Sequence, residues 1–318
     1  MHAAARANGE PDRPADPRAT IPPVRVAVID VGSNSVRLLA AEIDPNGGAR
    51  AIERDRVYVR LGDDAYNFGR IGARKLDELE FVAERFALRA RTLGVERIET
   101  VVTAPGRQVS NADELVDVLA DATRAPVLVL SAENEARLAW EGAVASLESR
   151  PDTVAVVDLG GGSCEVAFGR PEVGPTWVGS CDAGALRITR SYLAHPRPTR
   201  RDVEVARISV RDLLDVMEPP HPDAALAVGG TARAVGRIVG ARFGAGKLDA
   251  LADRIATDGH ESVGAGLDVT PSRLETILGG TLVLAELARR LDTKLEVGRG
   301  GLGEGAACAL ARVESAAA

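Results

Sequence analysis

Residues 153–169 read TVAVVDLGGGSCEVAFG, and the fold of the whole chain follows from how this stretch is read. An apolar run at 154–157 ends in Asp158; Gly160, Gly161 and Gly162 follow, then Ser163, Cys164, Glu165 and a second apolar run. The pattern is a strand, a tight turn and a returning strand, with a carboxylate on either side of the turn. Consecutive glycines let backbone N–H groups approach a ligand closely, and a nest of such groups binds anions. A carboxylate beside an anion nest points to a cation in the same place. The turn reads as a phosphate-plus-metal site.

Towards the N-terminus, residues 26–39 repeat the template as VAVIDVGSNSVRLL: apolar strand, Asp30, a turn of Gly32, Ser33, Asn34 and Ser35, then another apolar strand. An ordinary hairpin would account for one copy, since Asp and Gly both favour turns. Two matched copies about 130 residues apart indicate two like-folded halves facing each other across a cleft.

The bulk numbers leave room for this and exclude other classes. A chain of 318 residues can build two domains with substantial cores. The net charge of −7 supplies no basic field for nucleic acid, and 3% aromatic content removes the stacking platforms that single-strand binders use. No apolar run approaches the ~18 residues of a membrane span. Cys164, Cys181 and Cys308 are dispersed without metal-ligand spacing, which fits a reducing, cytoplasmic setting. Residues 1–23, rich in Pro, Asp, Arg and Ala, read as a disordered tail and not a signal peptide.

Between the two turns, strands are expected at 24–32, 35–43, 51–61, 98–103 and 127–130, and helices at 73–93 and 111–122. Residues 44–48 read as a turn and 62–72 as a surface loop; Ala104-Pro105-Gly106 breaks the chain and leaves Arg107 near a strand's carboxyl end. Ser131 is a good N-cap for a helix carrying Glu133 and Glu135, and by spacing alone either glutamate could simply complement the helix dipole. Further on, helices are expected at 183–193, 201–217 and 232–239, and a long one from Thr270-Pro271 to 290, with strands at 224–228 and 295–297. A third glycine turn is Gly229-Gly230-Thr231. Small residues at Gly142, Ala143 and Ala145, and at Gly303, Gly305, Ala306 and Ala307, suit close helix crossing. Gly246-Lys247-Leu248 lacks the Ser/Thr and upstream Gly of a Walker loop.

Together, Asp30-Val31-Gly32-Ser33-Asn34-Ser35, Glu133-Asn134-Glu135-Ala136-Arg137-Leu138, Asp158 to Glu165 and Gly229-Gly230-Thr231 occur in an order that resembles the exopolyphosphatase/guanosine pentaphosphate phosphatase family, in its short two-domain form. The resemblance covers residues 24–311. The glycine turns alone are shared with actin-like and sugar-kinase ATPases, whereas the Glu-Ala-Arg-Leu element is similar to the phosphatase branch. The fold so implied is α/β, with two actin-like, sugar-kinase-like (ribonuclease H-like) lobes and an interdomain cleft. Residues 24–137 would form the N-terminal lobe, 138–301 the C-terminal lobe, and 302–314 would be a helix able to pack back on the first.

The resemblance implies Glu135 as general base, Glu165 as a second essential carboxylate and Asp158 as a Mg2+ ligand, with Glu165 close to the metal. Gly32, Ser33, Asn34, Ser35, Gly160, Gly161, Gly162, Ser163, Gly229, Gly230 and Thr231 would hold phosphate oxygens, and Arg107 would contact phosphate. The reaction implied is hydrolysis of the terminal phosphoanhydride of inorganic polyphosphate, or of guanosine pentaphosphate, with Mg2+ and K+ as candidate cofactors. A kinase or nucleotide switch on the same lobes is the competing class, and Glu135 speaks against it. No nucleic-acid or membrane partner is expected, and a homodimer is left open, since the sequence does not give the oligomeric state. Arg187, Arg190, Arg197, Arg200, Arg201, Arg233 and Arg237 are the candidates for binding the rest of a phosphate chain, because a guanidinium offers a bidentate fork, although each taken singly reads first as a solvated surface arginine. Three departures stand out: Cys164 where the family has Thr, Ala-Pro-Gly before Arg107, and Leu302-Gly303-Glu304-Gly305 where the family has Leu-Arg-Glu-Gly.

Overall fold

The computed structural model describes residues 23–315 apart from 45–47, 150 and 196. The expected N-terminal tail (residues 1–22 of it) and the centre of the 44–48 turn lie outside the described residues. The first half runs β1 (Val24–Val31), β2 (Val36–Ile43), β3 (Ala49–Val57), α1 (Leu61–Phe68), α2 (Ala73–Thr92), β4 (Arg97–Val102), α3 (Ala104–Gln108), α4 (Ala112–Thr123), β5 (Val127–Val129) and α5 (Ala132–Val144). The second half opens with β6 (Val154–Leu159), β7 (Cys164–Arg170), β8 (Gly174–Cys181), α6 (Ala185–Tyr192), α7 (Arg200–Leu214), β9 (Ala224–Val228) and α8 (Gly229–Val239). It closes with β10 (Arg242–Phe243), α9 (Ala245–Asp258), α10 (His260–Gly264), α11 (Pro271–Leu274), α12 (Ile277–Arg290), β11 (Leu295–Val297) and α13 (Leu302–Ser315).

The internal repeat is a repeat of topology. One sheet has the order β3-β2-β1-β4-β5; the other has β8-β7-β6-β9-β11, with β10 added at its edge. In each, the first three strands form an antiparallel meander and the next two run parallel to the first. This is the actin-like, ribonuclease H-like lobe, built twice. The central strands β1 and β6 are buried on both faces, as their unbroken apolar runs require.

Three apolar cores hold the layers. Leu76, Leu79, Val82, Phe86 and Ala90 recur at helical spacing on α2 and pack on the outer face of the first sheet. The outer face of the second sheet is covered by α6, α7, α8, α9 and α12, including Phe243, Leu248, Leu282 and Leu284. Between the sheets lie α5 and α13, which meet β-strands of both through Leu39, Trp140, Val156, Leu226 and Leu302. The helix α5 packs on β6, β7 and β8, and α13 packs on β1 and β2. The division expected at 137/138 falls inside α5, which is continuous.

Some expectations fail locally. Residues 61–68 are helix α1 and not a surface loop, because Leu61 and Ile71 are fully buried anchors at its ends. Residues 104–108 form the short helix α3 with Pro105 in its first turn, where proline is tolerated. The long helix expected from 270 to 290 is two: it breaks at Glu275–Thr276, with the Thr276 hydroxyl donating back to the Arg273 carbonyl at 3.3 Å. Gly229 to Thr231 are the first turn of α8 and not a turn ahead of it. Residues 242–264, unassigned from sequence, supply β10, α9 and α10.

Candidate active site

The two glycine turns are superimposable in their chemistry. In each, the first glycine donates its N–H to the carbonyl of the serine three residues on, Gly32 to Ser35 and Gly160 to Ser163, both at 3.1 Å. They also touch across the gap. A Cβ on Gly162 would come 2.5 Å from Ser33 Oγ and displace that hydroxyl, and one on Gly161 would come 3.3 Å from the Asn34 nitrogen and press the facing turn back by a few tenths of an ångström. The helix α1 sits on the first turn, with the Gly62 N–H donating to the Ser33 carbonyl at 2.7 Å.

The turns line a narrow cleft together with Glu135, Asp30, Asp158, Arg37, Thr103, Arg273 and Leu302. Of the residues expected from sequence, Gly32, Ser33, Asn34, Ser35, Glu135, Asp158, Gly160, Gly161, Gly162 and Ser163 all meet here. Four side-chain polar atoms on this wall are buried without a hydrogen-bond partner among the described residues: Asn34 Nδ2, Ser35 Oγ, Arg37 Nε and Arg273 Nη2. Three of these can only donate, and buried donors without acceptors carry a desolvation penalty that an anion would relieve.

Glu135 lies in the first turn of α5, whose N-cap Ser131 accepts from the Asn134 N–H at 3.1 Å. Only 5% of Glu135 is exposed. Its Oε2 accepts from Arg107 Nη1 at 2.7 Å, and the same nitrogen donates to the Leu130 carbonyl at 2.8 Å. Burial lifts the Glu135 carboxyl to about 7, with Arg107 opposing the rise and Asp158 and Asp30 adding to it. Asp158 rises to about 6, again chiefly from burial, with Arg37 opposing and Asp30 adding. Asp30 is raised by burial too, despite Arg37 Nη1 at 3.3 Å.

Other expected residues stand one step back. Glu165 is 1% exposed and lies behind Arg107: its Oε1 accepts from Arg107 Nη2 at 3.3 Å and from Ser180 Oγ at 3.2 Å, while Oε2 has no hydrogen-bond partner among the described residues. Burial and the neighbouring Glu135 hold its carboxyl well above the usual range. Arg107 likewise spends its guanidinium on Glu135, Glu165, Ser163 and the Leu130 carbonyl. Thr231 accepts from Arg273 Nη1 at 3.2 Å, and Gly230 packs against the same guanidinium. Gly229 faces the Asp158 carboxylate from the far side. Cys164 is fully buried in the core of the second sheet. Asp202 caps α7 with Thr199, placing Arg200 and Arg201 at a helix start away from the cleft lining.

Asp30, Arg37 and Arg273 are site residues that sequence reading did not assign. Arg37 had a signal: Asp30 pairs with Arg37 across β1 and β2 as Asp158 pairs with Glu165 across β6 and β7, so Arg37 is the counterpart of Glu165. Arg273 had none, because the break between α11 and α12 alone turns it inward.

Among the described residues no three His, Cys, Asp or Glu side chains converge as a metal cage. Mg2+ does not require one, since it usually takes one or two carboxylates together with phosphate oxygens. Asp158 and Asp30, hard oxygen donors from opposing turns in one cleft, fit that pattern.

These raised carboxyls make a stability prediction. A carboxyl whose folded pKa exceeds its unfolded value stabilises the fold at low pH, and that contribution is lost as pH rises through the folded value. The metal-free protein should lose on the order of a few kcal/mol between pH 5 and pH 8. The lowered carboxyls, Asp202 and Asp249, titrate below this window. Melting midpoints should therefore fall across it, and Glu135→Gln should flatten the slope. A midpoint that climbs from pH 5 to pH 8 would contradict the assignment.

A model of the Ppx/GppA phosphatase family matches residues 40–312. Exopolyphosphatase 2 of Mycobacterium tuberculosis is 31% identical over 291 residues, spanning 84% of this chain and 91% of its own. The crystal structure of the Aquifex aeolicus Ppx/GppA family member matches with a TM-score of 0.76 at 26% identity, over 92% of this chain and 99% of the other. An exopolyphosphatase from Cytophaga hutchinsonii has a TM-score of 0.77 at 18% identity, over 88% and 96% of the two chains, a likeness of fold alone.

Proposed function

The chain belongs to the Ppx/GppA phosphatase family and is a phosphoanhydride hydrolase, and from that premise we propose that it removes the terminal phosphate of inorganic polyphosphate by attack of a water held at Glu135. The observation that carries this reading is the sharing of one cleft by a buried carboxylate and four buried polar atoms, mostly donors, without partners.

The water oxygen bonds to the terminal phosphorus as the bridging P–O bond breaks. The departing chain keeps the bridging oxygen and the electron pair of that bond, and Glu135 takes the water's proton. A carboxylate with a pKa near 7 suits this task, being ionised at working pH yet basic enough to accept the proton. Arg107 is a positioning residue: it pins one Glu135 oxygen and leaves the carboxylate a single orientation, and Glu165 with Ser180 holds Arg107. Asn34, Ser35, Arg37, Arg273 and the N–H groups of both turns surround the phosphoryl oxygens, where developing charge needs donors. Mg2+ would be held by Asp158 with Asp30, and when bound would neutralise charge on the phosphoryl oxygens.

Phosphate release measured side by side from tripolyphosphate, long-chain polyphosphate, guanosine pentaphosphate and ATP tests the reading. Polyphosphate should be the preferred substrate, and chelation of divalent cations should lower its turnover by about a hundredfold or more. Preference for guanosine pentaphosphate, or full turnover in chelator, would replace this assignment.

A further inference from the structure

A second cavity of about 340 Å3 adjoins the cleft, between β1–β3 on one side and the starts of α8 and α13 on the other. Asp30, Arg37, Asp158 and Leu302 line both spaces, so the two border each other across these four residues. Glu135 lines only the first. That asymmetry gives the reaction a direction. In-line displacement sends the leaving group away on the side opposite the attacking water. With the water at Glu135, the departing chain points past Asp30 and Arg37 into the second cavity.

The other way out is tied across. Tyr58 Oη and Thr270 Oγ1 are 2.9 Å apart, Arg60 donates to Glu275 and Ser272 at 3.0 Å, and Arg190 forks onto Asp63 at 2.7 and 3.2 Å. These pairs join the lobes between residues 58–63 on one side and Arg190 with residues 270–275 on the other.

The walls of the second cavity carry charge in an informative arrangement. Arg54 is neutralised by Glu304 at 2.6 Å and Arg299 by Glu148 at 2.6 Å. Arg56 and Arg233 form no ion pair among the described residues. Burial lowers Arg233 to about 10, and the nearby Arg37 and Arg56 charges add to the fall. Arg37 is paired with Asp30 at 3.3 Å, and Asp158 and Glu304 offset part of the charge felt at Arg233, so Arg56 and Arg233 are the guanidiniums on this wall left to meet an entering polyanion.

We propose that the non-reacting tail of a linear polyphosphate leaves the cleft through this second cavity and is held there by Arg56 and Arg233. The assignment rests on the polyphosphate reading above. It makes Arg56 and Arg233 determinants of chain-length preference, outside the reacting centre.

Steady-state phosphate release from tripolyphosphate and from long-chain polyphosphate tests it in the wild type, Arg56→Ser, Arg233→Met and Gly303→Glu. The last keeps both arginines and sends a carboxylate into the cavity from its far wall, where a Cβ on Gly303 would meet only Leu39, at 3.3 Å. Each variant should raise KM for the long chain by about tenfold, as expected for one lost charge-assisted contact, with kcat nearly unchanged. KM for tripolyphosphate should move by less than about threefold, which also shows that the variant is folded. Equal KM shifts for the two substrates, or no shift, overturn the tail site while leaving the hydrolytic reading intact. A wild-type protein that releases phosphate from neither substrate overturns the polyphosphate reading itself.

Discussion

Glu135→Gln should lower kcat for polyphosphate by about 10²–10⁴-fold with little change in substrate binding. The amide is nearly isosteric and keeps an oxygen that can accept from Arg107, so the 2.7 Å contact and the fold of α5 survive. What is lost is the ability to take a proton. Binding should persist, because the donors on the cleft wall belong to Asn34, Arg37, Arg273 and the turns and not to Glu135. The variant also removes a buried carboxylate, so it should melt higher than the wild type at pH 8 in the absence of metal. Loss of turnover with gain of stability separates a chemical role from a structural one. A variant retaining near-full kcat would remove Glu135 from the reaction.

Gly305→Ala should destabilise the protein by about 3 kcal/mol or more. Replacing glycine by alanine within a helix ordinarily gains roughly 0.5–1 kcal/mol from reduced backbone freedom in the unfolded chain. Here sterics win. A Cβ on Gly305 would lie 1.9 Å from the Leu138 carbonyl oxygen on α5, which is backbone and cannot swing aside. Gly142 is the reciprocal contact, its Cβ position 2.0 Å from the Gly301 oxygen. The two helices between the sheets therefore cross at backbone contact, and a methyl group must push them apart. A fall in melting midpoint of about 10 °C follows for a chain of this size. Because α5 carries Glu135 and Leu302 at the start of α13 lines the cleft, the folded remainder should also lose turnover. Gly303→Ala, two residues earlier on α13, meets only the flexible end of Leu39 at 3.3 Å and should change the midpoint little. Equal midpoints for the two variants would refute the close crossing.

Most of the cleft lining was legible because its pattern is local. Apolar strand, Asp, glycine turn and returning strand are contiguous in the chain, and their hydrogen bonds close within four residues. The repeat of that unit implied two like lobes, and the sheet orders agree residue for residue in the pairing of Asp30 with Arg37 and Asp158 with Glu165. The small-residue faces of α5 and α13 were likewise visible as spacing, and they mark a backbone contact.

What the chain by itself determined was thus the architecture, the two turns and the set of carboxylates, since each is encoded by neighbours in sequence. Only the tertiary structure decided the division of labour among them. It set Arg107 and Glu165 behind Glu135, and it turned Arg273 inward at a helix break that Thr270-Pro271 concealed. It also made 61–68 a helix resting on the first turn, because Leu61 and Ile71 find a core that exists only once the sheet has formed. A side chain's exposure and charge partners are sums over groups distant in the chain, and no local pattern carries them.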